Sequence, residues 1–88
     1  MKNYVEGQLA GNGALINTMK SQLEKMGFEV TGEKFRKYGQ VEAVVNELVP
    51  LIERQGVNVF DQLYLNEYDG QGMILGKYEK GKVTRYRT

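Results

Sequence analysis

Residues 57–86, VNVFDQLYLNEYDGQGMILGKYEKGKVTRY, decide how this chain folds. Val57, Val59, Leu63 and Leu65 alternate with Asn58, Phe60, Gln62, Tyr64 and Asn66, the period of a strand with two unlike faces. The span is long for one straight strand and predicts a bulge or bend near Asp61. Asp69-Gly70-Gln71-Gly72 reads as a turn, Met73 to Glu79 as a strand, Lys80-Gly81 as a tight turn and Lys82 to Arg87 as a final strand. A two-residue loop at Lys80-Gly81 sets Glu79 opposite Lys82, Tyr78 opposite Val83 and Leu75 opposite Tyr86. The result is a three-stranded antiparallel meander. One face carries Ile74, Tyr78 and Val83, the other Met73, Leu75 and Tyr86. A sheet with apolar residues on both faces meets helices on one side and is free to meet another molecule on the other.

Upstream of this meander the period changes to that of helices. Leu15, Ile16, Met19, Leu23 and Met26 recur at steps of three and four, with Asn12 placed to cap the first turn and Gly27 to end the helix. A second stripe, Val41, Val44, Val45, Leu48, Val49 and Ile52, runs across Pro50 to Gly56. Its continuity across the proline predicts one kinked helix rather than two. Short strands are expected at 2–9, 28–31 and 57–60, and residues 32–39 read as a connection. Residues 14–30 align with 43–59 at a constant offset of 29, which reads either as two amphipathic helices ended alike by glycine or as an internal α–β duplication. Both readings predict parallel strands joined by a right-handed crossover. The hairpin from Tyr68-Asp69-Gly70 to Tyr86 resembles a single tyrosine–aspartate (YD) repeat over about a fifth of the chain. The likeness rests on residue types that any hairpin favours, so it implies hairpin geometry and not kinship.

The 88 residues include no cysteine, histidine or tryptophan and one proline, with 41% hydrophobic and 26% charged side chains. Such a composition belongs to a small globular domain, expected as one unit over residues 1–88. The lack of Cys and His rules out disulfides, thiol nucleophiles and the usual zinc or haem ligation from this chain, so no metal or cofactor is expected. No apolar run approaches a membrane span and the start has no apolar leader core, so a cytoplasmic protein without membrane contact is expected. The net charge of +1 conceals a gradient of +2 over residues 1–39, −5 over 40–69 and +4 over 70–88.

Three constellations carry functional expectations. Tyr64, Tyr68, Tyr78 and Tyr86 share the C-terminal strands with Lys77, Lys80, Lys82, Arg85 and Arg87. Tyrosine is enriched at protein interfaces, and a core this small cannot hide both faces of a sheet. The same residue set also suits stacking of single-stranded bases between phosphate-binding cations. Gly11-Asn12-Gly13, with Gly7 before it, stands where an anion-binding loop would stand, ahead of the first helix. Its G-x-x-x-G-x-G spacing matches neither the dinucleotide nor the P-loop pattern, and the bland alternative is a helix cap in a tight turn. Catalysis would fall to carboxylates such as Glu67 and Asp69, since Ser21 has no histidine to activate it.

The expected fold is α+β, a two-layer α/β sandwich in which two amphipathic helices pack on one face of a mixed sheet, in the order β-α-β-α-β-β-β. The expected function is non-enzymatic protein binding through the tyrosine-rich sheet, with self-association as its simplest form. Nucleic-acid binding by the same strands is the alternative. A phosphate or nucleotide site at Gly11-Asn12-Gly13, or a small enzyme, comes third.

Overall fold

A computed structural model describes residues 2–86. The sheet is built around the first strand, β1 (Tyr4–Leu9), in which Val5, Gly7 and Leu9 are buried while Tyr4, Glu6 and Gln8 point the other way. A broken helical segment follows as α1 (Gly13–Thr18) and α2 (Lys20–Lys25). The chain then forms a hairpin of β2 (Glu29–Thr31) and β3 (Lys34–Tyr38), the long helix α3 (Val41–Glu53), the single turn α4 (Val59–Gln62), and the meander β4 (Leu63–Tyr68), β5 (Ile74–Glu79) and β6 (Lys82–Arg85). The six strands lie in the order β2-β3-β1-β4-β5-β6, and every neighbouring pair is antiparallel.

The α+β class and the C-terminal meander agree with the sequence. The mixed sheet does not: no parallel pair occurs among the described strands. Two local features explain the difference. Residues 34–38 pair with β1 and β2, because Phe35 faces the core between the outward Lys34 and Arg36. Residues 57–60 do not form a strand. The Asn58 side chain accepts hydrogen bonds from the backbone N–H groups of Phe60 (3.0 Å) and Asp61 (3.4 Å), which winds the chain into α4. The match at an offset of 29 residues therefore extends to the helices and their glycine ends, Gly27 and Gly56 at positive φ, but not to the strands behind them.

The core fills the space between one sheet face and the helices. Ile16, Met19 and Leu23 come from α1, α2 and the residue between them, and Val41, Val44, Leu48, Leu51 and Ile52 from α3. They meet Val5, Leu9, Phe35, Leu63, Leu65 and Tyr78 of the sheet. Helix α3 runs unbroken through Pro50. Gly7 lies in the middle of this packing and not in a loop. A Cβ there would stand 2.4 Å from Leu65 Cδ2 and 2.6 Å from Phe35 Cζ, so only glycine lets the ring reach the backbone of β1. The turn Lys80-Gly81 has both residues at positive φ (52° and 74°), which gives the Glu79–Lys82 and Tyr78–Val83 pairs that its length dictates. The bulge sits between β4 and β5 rather than near Asp61: Glu67 pairs with Gly76 and Tyr68 with Ile74, leaving Leu75 as the extra residue. No helix among the described residues is long and apolar enough to cross a membrane.

Candidate functional site: an aromatic ladder on the open sheet face

Period two assigns every strand residue to one of two faces. The helices cover one. The other is covered by no helix among the described residues, and strand register orders its side chains into rows that run across the sheet. The row nearest the starts of β1 and β5 is Tyr38, Tyr4, Tyr68 and Ile74. Tyr86 extends it on the far side, since its backbone N–H donates to the Leu75 carbonyl at 3.0 Å. At roughly 4.8 Å per strand, these five strands carry a ladder about 19 Å long. The next row, Glu29, Arg36, Glu6, Asn66, Lys77 and Thr84, alternates in charge. Lys34, Gln8 and Tyr64 belong to a third. On this face Lys34, Arg36, Lys77 and Lys82 nearly balance Glu6, Glu29 and Glu79.

The ladder has defined ring geometry. Tyr4 and Tyr68 stack with centroids 5.3 Å apart and planes 28° apart. From the opposite neighbouring strand the Arg36 guanidinium lies 4.4 Å from the Tyr4 centroid, and the Lys2 ammonium stands 5.8 Å from that of Tyr38. Tyr38 is 60% exposed and Tyr86 39%, with Met73 and Ile74 also uncovered beside them. Shallow depressions follow the same face. One of about 180 Å³ is lined by Glu6, Gly7, Gln8, Lys34, Tyr64, Asn66 and Tyr68, and another of about 190 Å³ by Lys2, Tyr4, Arg36, Tyr38 and Gly70. Toward β6 the charge is internally paired. The Lys77 ammonium is held above its ordinary value, first by the Glu79 carboxylate and then by the Tyr86 hydroxyl.

Directly beneath the ladder lies a polar hub. Glu67 is 0% exposed, the one fully buried charged side chain among the described residues. Its carboxylate accepts from the Val41 backbone N–H, the Asn3 amide and Arg85 Nη1, each at 2.9 Å. Gln40, at the N-cap of α3, makes no side-chain cap bond, so Glu67 caps that helix from the sheet. Arg85 also donates to both oxygens of Glu42 in the first turn of α3. That guanidinium holds the Glu42 carboxyl below its ordinary value. No buried side-chain nitrogen or oxygen is left without a partner among the described residues.

Of the residues that the sequence offers for this surface, Tyr64, Tyr68, Tyr86, Lys77 and Lys82 occupy the open face. Tyr78 does not. It is 5% exposed, in the core, and burial pushes its hydroxyl pKa up. Arg85 also faces the helix side, because its partners Glu42 and Glu67 are there. Lys80 is in the turn, and Arg87 lies outside the described residues. Tyr4, Tyr38 and Arg36 join the site unannounced. The alternation of Tyr4, Glu6 and Gln8 with Val5, Gly7 and Leu9 carried the signal for Tyr4. For Tyr38 the signal was masked by Lys37, a charged residue on the core side whose Nζ reaches the Met26 carbonyl at 2.7 Å and Glu47 at 2.8 Å.

At the Gly11-Asn12-Gly13 loop, Asn12 occupies the N-cap position of α1 but its side chain makes no cap bond, and the Glu33 carboxylate packs against Gly13, which sets negative charge beside the loop. Glu67 has the hub as its environment and Asp69 a turn, where its carboxylate accepts from the backbone of Gln71 (2.8 Å) and Met73 (2.9 Å). No group of three or more acidic side chains that could hold a metal ion occurs among the described residues. No protein-family model, curated protein or solved structure matches this chain.

Proposed function

We propose that this chain is a non-enzymatic protein-binding module whose contact surface is the open sheet face, centred on the ladder Tyr38, Tyr4, Tyr68, Ile74 and Tyr86. The observation that carries the reading is the row itself. Four tyrosines and Ile74 aligned on five neighbouring strands, with no segment among the described residues packed over them, offer rigid amphipathic contact area of the kind that dominates interfaces. The short edge strands β2 and β6, bearing Glu29, Lys82 and Arg85, discourage pairing of a foreign strand at either edge, which leaves the face as the place to bind. Self-association through this face is the simplest version. We place the module in the cytoplasm, where a chain without cysteine forgoes no disulfide.

Nucleic-acid binding fits this face less well. Tyr4 has Arg36 on one side and Tyr68 on the other, so its ring faces are not free for a base. Glu6 and Glu29 flank Arg36, where a phosphate track would need positive charge.

The test is a double variant, Tyr38→Ser with Tyr86→Ser, compared with the unaltered chain. Sedimentation up to about 1 mM reads self-association, and pull-down from the native host reads other partners. Each tyrosine that anchors an interface costs about tenfold or more in affinity when it is lost. A partner, or a dimer, that is retained by the double variant overturns the proposal. So does tight oligonucleotide binding that depends on these same tyrosines.

A further inference from the structure

We propose, resting on that reading of the open face, that its occupant is an acidic segment of a partner protein, with a carboxylate gripped by Arg36 and Lys2 between Tyr4 and Tyr38. The depression there, about 190 Å³, is lined by Lys2, Tyr4, Arg36, Tyr38 and Gly70, with two cations and no carboxylate. It has the scale of a side chain rather than of a cofactor.

Arg36 is the centre of the inference. Register places it between Glu6 and Glu29, yet among the described residues it makes neither an ion pair nor a side-chain hydrogen bond. Its guanidinium carbon lies instead over the Tyr4 ring. That contact spends none of its N–H groups, and these match a carboxylate in forked geometry. Several cations are engaged elsewhere, Lys77 with Glu79, Arg85 with Glu42 and Glu67, and Lys37 with Glu47, while Lys34 on this face lines the neighbouring depression beside Glu6 and Glu29.

Glu6 and Glu29, opposite Arg36 on the two neighbouring strands, confine the ligand to the Lys2 and Tyr38 side of Arg36. A run of phosphates would meet them, whereas one carboxylate entering from the Tyr38 end would not. Tyr38 is exposed at that end and would receive an apolar residue beside the acid. The recognised segment is therefore an acidic residue with an apolar neighbour.

The probe is a dye-labelled peptide, Gly-Ser-Gly-Glu-Leu-Glu-Gly-Ser-Gly, with matched versions carrying Gln or Lys in place of both Glu. Anisotropy at low salt gives affinity, and amide shifts of the labelled protein give location. The Glu peptide is expected to bind at least tenfold more tightly than the Gln peptide and to shift Tyr4, Arg36 and Tyr38. Arg36→Gln should lose about tenfold, Arg36→Lys should recover only part because an ammonium cannot fork, and Lys2→Gln should lose less. Lys82→Gln, on the same face at its far edge, should leave binding within about twofold. If the Gln or Lys peptide binds the ladder as well as the Glu peptide, the acidic partner is wrong and the open face stands as a contact surface. If no peptide shifts the open face at 1 mM, or shifts fall only on the helix layer, the acidic partner is wrong, and the contact-surface reading is decided separately by the Tyr38→Ser, Tyr86→Ser double variant.

Discussion

Replacing Glu67 with glutamine tests the architecture under the ladder. Three donors converge on this carboxylate, from Val41 N, Asn3 and Arg85, each at 2.9 Å. Glutamine keeps the volume but carries one acceptor oxygen and an amide that cannot accept. If the oxygen stays with the Val41 N–H and Arg85, which share Oε1, the amide faces the Asn3 amide, donor against donor. If it turns round, the helix loses its cap. Asn3 and Arg85 can regain water, since Asn3 is only half-buried and Arg85 keeps Glu42. The Val41 N–H cannot, because Val41 is 0% exposed. Charge-assisted bonds contribute about 1.5–3 kcal/mol each and a stranded buried donor costs about 1–3 kcal/mol. Because Asn3 is re-solvated and the two bonds kept by Val41 and Arg85 lose their charge assistance, the expected loss is about 2–4 kcal/mol, near the low end for a broken buried ion pair. For a domain of this size, that lowers the melting temperature by roughly 10–25 °C. Urea unfolding followed by circular dichroism measures it directly, and hydrogen exchange of the Val41 amide reports the cap. Glu42→Gln is the control. Its carboxylate is exposed, so a loss below about 1 kcal/mol is expected. A Glu67→Gln chain within 0.5 kcal/mol of the parent, with Val41 still protected, would refute the hub.

Three further outcomes follow from single positions. Gly7→Ala should cost about 1–3 kcal/mol in urea unfolding, because the new methyl group overlaps Leu65 and Phe35 with no flexible end to yield. Lys80→Asn should stabilise by a few tenths to about 1 kcal/mol, since Lys80 sits at φ 52° in a turn where asparagine adopts that conformation more readily. Tyr78 should be the last tyrosine to ionise in an ultraviolet titration. Burial raises its pKa above the ordinary 10.0, so its neutral form stabilises the fold fully below pH 10 and that contribution is lost as pH rises through the folded value. Tyr78→Phe should flatten the alkaline part of the stability curve, and an unchanged slope would show that another group carries it.

What could be read from the sequence was what is decided locally. Lys80-Gly81 fixes its own hairpin, so the pairs Glu79–Lys82 and Tyr78–Val83 were legible without any knowledge of the rest. The helical stripes were legible because apolar spacing is a property of one segment, and Leu51 was missed only by lying one step off the stripe beside Pro50. The failures share a different cause. Asn58 looks like a polar position in a strand until its side chain caps the next two residues, a contact that alternation does not encode. Lys37 breaks the pattern of β3 because its amine crosses to α3 and the end of α2, a partner supplied by the tertiary fold. The site divides in the same way. The register already set Tyr78 and Tyr86 on opposite faces, but which face meets the helices depends on where α3 lands.

That landing is fixed by the hub, and the hub and the ladder share strands. Asn3 precedes Tyr4, Glu67 precedes Tyr68 and Arg85 precedes Tyr86. In a strand, consecutive residues face opposite ways, so each polar group directed inward places a ring outward one step along. Glu67 joins the N-terminal end of β1 through Asn3, α3 through Val41 and β6 through Arg85, elements that otherwise meet across the width of the sheet. Locking those strand ends in register locks the spacing of the rings above them. A surface whose aromatic groups are ordered before contact loses less conformational entropy when it binds, and that is where preorganised interfaces gain affinity. The buried carboxylate and the bare tyrosines are thus two faces of one arrangement, and a variant that loosens the first should blur the Tyr4–Tyr68 stack before it unfolds the chain.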